Sequence, residues 1–149
     1  MVEVVSAIFA SFLASLGFGV LFNIKGNKLF LAGIGGGIGG GVYSWILLLG
    51  YGEMIAMFFG SIAFSLYSEI FARLFKTPVT IFIICALIPL VPGGGMYRTM
   101  LQAIQGHASE ALALGLNTLS TAGVLVLGIL IVSTIMRAIY KPKKQVVKE

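Results

Sequence analysis

The chain has 149 residues, 58% of them hydrophobic and only 10% charged, with a formal net charge of +5. A soluble domain carries roughly 25% charged residues, so the composition argues against a soluble enzyme, and the basic excess is too dispersed for a nucleic-acid footprint. The length accommodates one domain of about five membrane spans of ~20 residues each, which makes the expected fold class all-α, a polytopic membrane protein.

The first apolar stretch runs from Val4 to Phe22, with Glu3 where a signal peptide would have basic residues, so it reads as a retained span. The polar turn Asn23-Ile24-Lys25-Gly26-Asn27-Lys28 ends it. The second stretch, Leu29 to Leu49, closes on Gly50-Tyr51-Gly52-Glu53, and the third, Met54 to Ala72, is followed by Arg73 and Lys76. In the fourth, Thr77 suits an N-cap and Pro78 the first helical position. From Pro78 to Val91 is 14 residues, about 21 Å of helix, which is too short for a hydrocarbon core of ~30 Å. Pro89 and Pro92 remove backbone donors, and Gly93, Gly94 and Gly95 are expected to release the chain from helical geometry. A second piece resumes over Met96 to Gln105 and stops at Gly106. Ser109 is positioned to cap the last span, Ala111 to about Met136. The reading is five transmembrane helices, the fourth broken at a Pro/Gly segment, with residues 1–140 as one membrane domain and 141–149 as a basic cytoplasmic tail.

Charge placement sets the orientation. Lys25, Lys28, Arg73, Lys76, Arg137, Lys141, Lys143, Lys144 and Lys148 fall in the first loop, the third loop and the tail, which five crossings place on one side. The positive-inside rule then puts the N-terminus out and the C-terminus in, with Arg98 alone elsewhere. A re-entrant fourth segment would put the basic tail outside and break this pattern.

Glycines of the second span recur four apart, as Gly33, Gly37, Gly41 and as Gly36, Gly40, with Gly35 and Gly39 adding a third row. Such rows let helices approach closely, within the chain or between subunits. Ala7, Ser11 and Ser15 form a small-residue row on the first span; Ser61, Ser65 and Glu69 line up on the third; Asn117, Thr121 and Gly128 share a face of the fifth. These stripes should face protein or water, and they suggest one part of a larger complex, with a homo-oligomer also open.

Chemistry-bearing residues are few. There is no aspartate, one histidine (His107, in a short loop where it reads as solvated) and one cysteine, Cys85, which reads as a packed core residue. No catalytic set, metal site or cofactor motif is present, so the chain is not expected to be an enzyme. Solute handling is expected at the break. The N-terminus of the Met96 helix and Arg98 suit a carboxylate, and carbonyls freed around Leu87 to Val91 suit an ammonium group or a cation. The candidate substrate-binding residues are Pro89, Pro92, Gly93, Gly94, Gly95, Tyr97, Arg98 and Asn117. Tight packing with Arg98 reaching the interface is the plainer alternative, and Asn117 equally suits a helix contact. Glu69 has Arg73 four residues on, an ion pair by spacing or, in the sharper reading, a proton-coupling carboxylate.

Val20-Leu21-Phe22-Asn23, then Glu69 to Lys76 with Thr77-Pro78, then Ile88-Pro89-Leu90-Val91-Pro92-Gly93 with Tyr97 and Arg98-Thr99-Met100 resemble the threonine/serine exporter family. The closer likeness is to the small subunit of its split form, equivalent to the C-terminal membrane half of the fused exporters. That resemblance implies a bacterial cytoplasmic-membrane exporter of small amino acids, working with a larger membrane subunit, and it carries Pro89, Pro92, Gly93, Tyr97 and Arg98 over as the functional segment. A dicarboxylate cargo such as succinate, a non-transporting assembly subunit and a self-contained channel are the rival expectations.

Overall fold

A computed structural model describes residues 1–140; the basic tail expected at 141–149 lies outside the described residues. The described chain forms six α-helices: α1 (Val2–Leu21), α2 (Asn27–Leu48), α3 (Glu53–Leu74), α4 (Thr80–Leu87), α5 (Gly93–Ile104) and α6 (Ala108–Ile139). A 3-10 turn, Ile88–Leu90, extends α4. Four helices are long and apolar enough to cross a membrane, and the bent pair of α4 with its 3-10 turn and α5 makes a fifth when counted as one span.

Four of the connections are tight for one shared reason. Asn23, Gly50, Lys76 and Gly106 adopt positive φ just past the ends of α1, α2, α3 and α5. Behind each, two amides fold back on the last turn: Asn23 to Val20 and Ile24 to Gly19, Gly50 to Leu47 and Tyr51 to Ile46, Lys76 to Arg73 and Thr77 to Ala72, Gly106 to Ala103 and His107 to Gln102. This Schellman closure satisfies carbonyls that would otherwise be orphaned at a helix end. It also takes Thr77 out of the capping role expected for it, since its hydroxyl donates to the Phe75 carbonyl and α4 begins three residues later. Likewise α6 starts at Ala108, ahead of Ser109, and runs on to Ile139.

The helix α2 lies at the centre, packed on α1, α3 and α4, because glycine lets three neighbours close on it at once. A β-carbon on Gly36 would run into the Ser15 side chain, one on Gly40 into Ser11, and one on Gly39 would lie 3.0 Å from Phe64 and 3.2 Å from Leu90. The apolar core divides into two clusters. Met57, Phe64, Ala86, Leu90 and Leu125 form one; Ala32, Ala72, Phe82 and Cys85 form the other, Cys85 being buried as expected.

Beyond this bundle the chain is different. Among the described elements α5 packs on α6 alone, and it has no buried residue. The pairing is antiparallel, with Gly95 against Thr118 and Gly115 against Thr99. The other half of α6 packs on α3, where Gly128 receives the Ser61 side chain. The 32 residues of α6 span about 48 Å, against about 33 Å for the 22 of α3. One rod therefore joins the bundle to the α5–α6 hairpin.

Candidate functional site

The break in span four is narrower than its glycine content suggests. Pro89 enters the 3-10 turn without ending the helix, and Ile88 before it keeps helical angles (φ −55°, ψ −44°). The missing N–H of Pro89 vacates the carbonyl of Cys85, four residues back, and the Ser15 hydroxyl of α1 donates to that carbonyl at 2.7 Å. Helical geometry ends only at Val91 (φ −58°, ψ 130°), since a residue before proline is pushed into extended conformation. Pro92 (φ −73°, ψ 56°) then forms an inverse γ-turn, the Gly93 amide donating to the Val91 carbonyl at 2.7 Å. Gly93 already belongs to α5, and the Met96 amide donates to the Pro92 carbonyl at 3.2 Å. The expectation that Gly93, Gly94 and Gly95 leave helical geometry is therefore corrected: they are the first turn of α5. Two residues are unwound, and the axis bends by 49°. Proline sterics alone break the helix.

Leu90 locates the break in depth. Its side chain sits between Gly39 of α2 and Gly60 of α3. Gly39 is twelve residues from Asn27 and nine from Leu48, near the middle of its helix. The carbonyls of Pro89 and Leu90 accept no backbone amide among the described residues, a state tolerated in a membrane only beside other polar groups or a water-filled space.

Such a space is present. A cavity of about 240 Å³ lies against Pro89, Leu90, Val91 and Pro92, and its opposite wall carries Ser11 of α1, Tyr43 and Ser44 of α2, and Glu53 and Met57 of α3. Three hydroxyl-bearing residues and a carboxylate-bearing one line it together with the broken segment, and among the described residues no basic side chain does. Of the sequence candidates, Pro89 and Pro92 line this cavity. Gly93, Gly94, Gly95, Tyr97 and Arg98 continue away from it along α5, where Tyr97 is 68% exposed and Arg98 has no ion-pair or hydrogen-bond partner among the described residues. Asn117 is exposed on α6, one turn before the buried Thr121, which donates to its backbone carbonyl. The carboxylate-binding elements read from the sequence are thus separated from the cavity. Glu53, Tyr43 and Ser44 escaped the sequence reading. Glu53 closes a polar loop, and its place at the cavity emerges only when that loop is seen beside the break. It is nonetheless one of only five acidic residues, which is a usable signal.

Glu69 is buried at 4% exposure on α3, away from the cavity. Arg73 donates to its Oε2 and to its backbone carbonyl, comes within 3.5 Å of the Met136 carbonyl on α6, and stacks on the Tyr140 ring at 4.8 Å. The spacing-based ion pair is therefore formed. His107 meets Gln102 at 2.8 Å in the exposed α5–α6 turn.

A wider groove of about 540 Å³ between α1 and α2 is lined by apolar residues such as Ile8, Phe12, Ile38 and Trp45 and offers no polar chemistry.

A family model described as Threonine/Serine exporter, ThrE matches residues 7–135. The chain belongs to the threonine/serine exporter family, and with its apolar helices it is a membrane transport protein. Comparison with curated proteins and with solved structures gives no match.

Proposed function

We propose that this member of the family is a subunit of a secondary exporter that carries small amino acids of the threonine/serine type, and that the cavity at the Val91–Pro92 break is where the chain holds them. The observation that carries the reading is the sign of the cavity. Glu53, three hydroxyls and the unpartnered carbonyls of Pro89 and Leu90 are acceptors for an ammonium group, and among the described residues only hydroxyl donors, no basic side chain, are there for a carboxylate. A dicarboxylate would enter a site of its own charge. A zwitterion gives its ammonium to Glu53 and the carbonyls, and its side-chain hydroxyl to Ser44 or Tyr43. No nucleotide motif is present, so an ion gradient is the driving force assigned.

A larger membrane subunit completes the carrier in this reading. The support is α5, whose outward side (Tyr97, Arg98, Met100, Ile104) rests on no other described helix. That face mixes a cation with apolar side chains, as a membrane-embedded protein contact does. The family resemblance suggests the bacterial cytoplasmic membrane, and the placement of the basic residues supports N-terminus out and C-terminus in. Lys25 and Lys28 border a crevice shared with the start of α4, and Arg73 lies beside the end of α6, so described basic residues gather at one end of the bundle.

Counterflow in proteoliposomes holding the assembled carrier, with labelled threonine, serine and succinate, tests the reading. Glu53→Gln removes a charge-assisted hydrogen bond, and the half-saturating threonine concentration is expected to rise by about tenfold or more. Succinate counterflow in the wild type, or threonine transport indifferent to Glu53→Gln, overturns the cargo assignment. Arg98→Lys is expected to weaken subunit association and to leave unchanged the threonine affinity of the complexes that form.

A further inference from the structure

The α3 face below the cavity contains more buried polar chemistry than packing requires. Met57 lines the cavity, and Ser61 lies one turn further along the same helix. Ser65, Ser68 and Glu69 continue the line toward the end where Arg73 stands. Ser61, Ser65 and Ser68 are fully buried. Ser61 donates to the Phe58 carbonyl, but the hydroxyls of Ser65 and Ser68 have no hydrogen-bond partner among the described residues. The helix facing Ser61 is α6, through Gly128, and Val132 and Met136 are buried further along that helix; Ser68, between Phe64 and Ala72 on its row, sits at the edge of the seam toward α4. In a dry helix–helix seam each unpaired hydroxyl is destabilising, and alanine would pack there without that penalty.

Resting on the transport reading above, we infer that the α3–α6 seam is the second half of the cargo path, closed in this structure: Ser61, Ser65, Ser68 and Glu69 line the route from the cavity to the basic end, for a small ammonium-bearing solute. Opening the seam hydrates the two hydroxyls and presents Glu69 to the ammonium group. Closing it removes water and leaves them unpaired. Arg73 is the tie at the basic end, since it holds Glu69 on its own helix and reaches Met136 and Tyr140 at the end of α6. Moving α6 away from α3 breaks those two contacts together. The cavity at the break and the seam are then alternately accessible halves of one path.

The test uses the full chain with whatever subunit it assembles with, in membrane vesicles, with Cys85→Ala as background. Single cysteines at Ser65 and Ser68 are reacted with an impermeant methanethiosulfonate from the basic-end side, and one at the cavity residue Ser44 from the opposite side. Ser65→Cys and Ser68→Cys are expected to react slowly at rest and about tenfold faster once threonine is supplied, as the open population rises. If both stay inert while threonine changes the reactivity of Ser44→Cys, the seam is not the path and this inference falls, with the cavity reading intact. If threonine leaves Ser44→Cys unchanged as well, the cavity reading falls and takes the seam with it. Ser65→Ala supplies a second readout whose two halves have opposite signs. Thermal stability is expected to hold or rise as the unpaired hydroxyl goes, while threonine flux drops severalfold. Unchanged flux would reduce these serines to packing.

Discussion

Glycine is used in two ways in this molecule. In α2, seven glycines between Gly33 and Gly41 are buried under α1, α3 and α4, and side chains such as Ser15, Ser11 and Phe64 occupy the space their β-carbons would need. In α5, a β-carbon on Gly93 or Gly94 would have nothing within 4 Å, and only Gly95 is pressed against a neighbour, Thr118. The first group is required by contact. Two of the second group are required neither by contact nor by φ, because they are helical and open. Glycine content alone therefore does not mark an unwound segment in a membrane helix; the residue before a proline marks it better.

That contrast is sharpened by four substitutions, read as thermal stability of the detergent-solubilised protein. Gly36→Ala drives a methyl into Ser15 and toward the Ser11 carbonyl, which is backbone and cannot yield. Overpacking of this kind is expected to cost about 3 kcal/mol, and the Ser15 bond to Cys85 is lost with it. Ser15→Ala alone leaves the carbonyl vacated by Pro89 without a donor, at about 2 kcal/mol. Gly95→Ala meets only a rotatable threonine side chain, so about 1 kcal/mol is expected, confined to the α5–α6 pairing. Gly93→Ala is expected to be neutral or to stabilise by a few tenths of a kcal/mol, since a helical glycine is replaced in open space. A loss at Gly93 as large as at Gly36 would break the comparison and point to a ligand or subunit contact over the first turn of α5.

Much of the architecture was legible in the sequence because hydrophobic runs in a membrane chain have sharp ends. The stretches Val4–Phe22, Leu29–Leu49 and Met54–Ala72 sit within two residues of α1, α2 and α3 at each end. The Glu69–Arg73 pair followed from helical spacing, and Gly106 from its place at a helix stop. The parts less legible are those set by tertiary context. Thr77 looks like a cap from its neighbours, yet the preceding helix claims it for its own closure. Arg98 and Pro92 are six residues apart, but the 49° bend and the axis of α5 carry the guanidinium away from the cavity. Glu53 and Tyr43 come from different helices and meet over the break only because the α2–α3 turn is short.

The length of α6 has a mechanical consequence. A straight helix held at one end by α3 and at the other by α5 transmits tilt without bending. A rotation of about 10° about its midpoint displaces each end of a rod of about 48 Å by roughly 4 Å, in opposite senses. The α5 contact of Gly95 on Thr118 lies only about 8 Å from that midpoint, so the same tilt shifts it by little more than about 1 Å while the Met136 end swings away from Arg73.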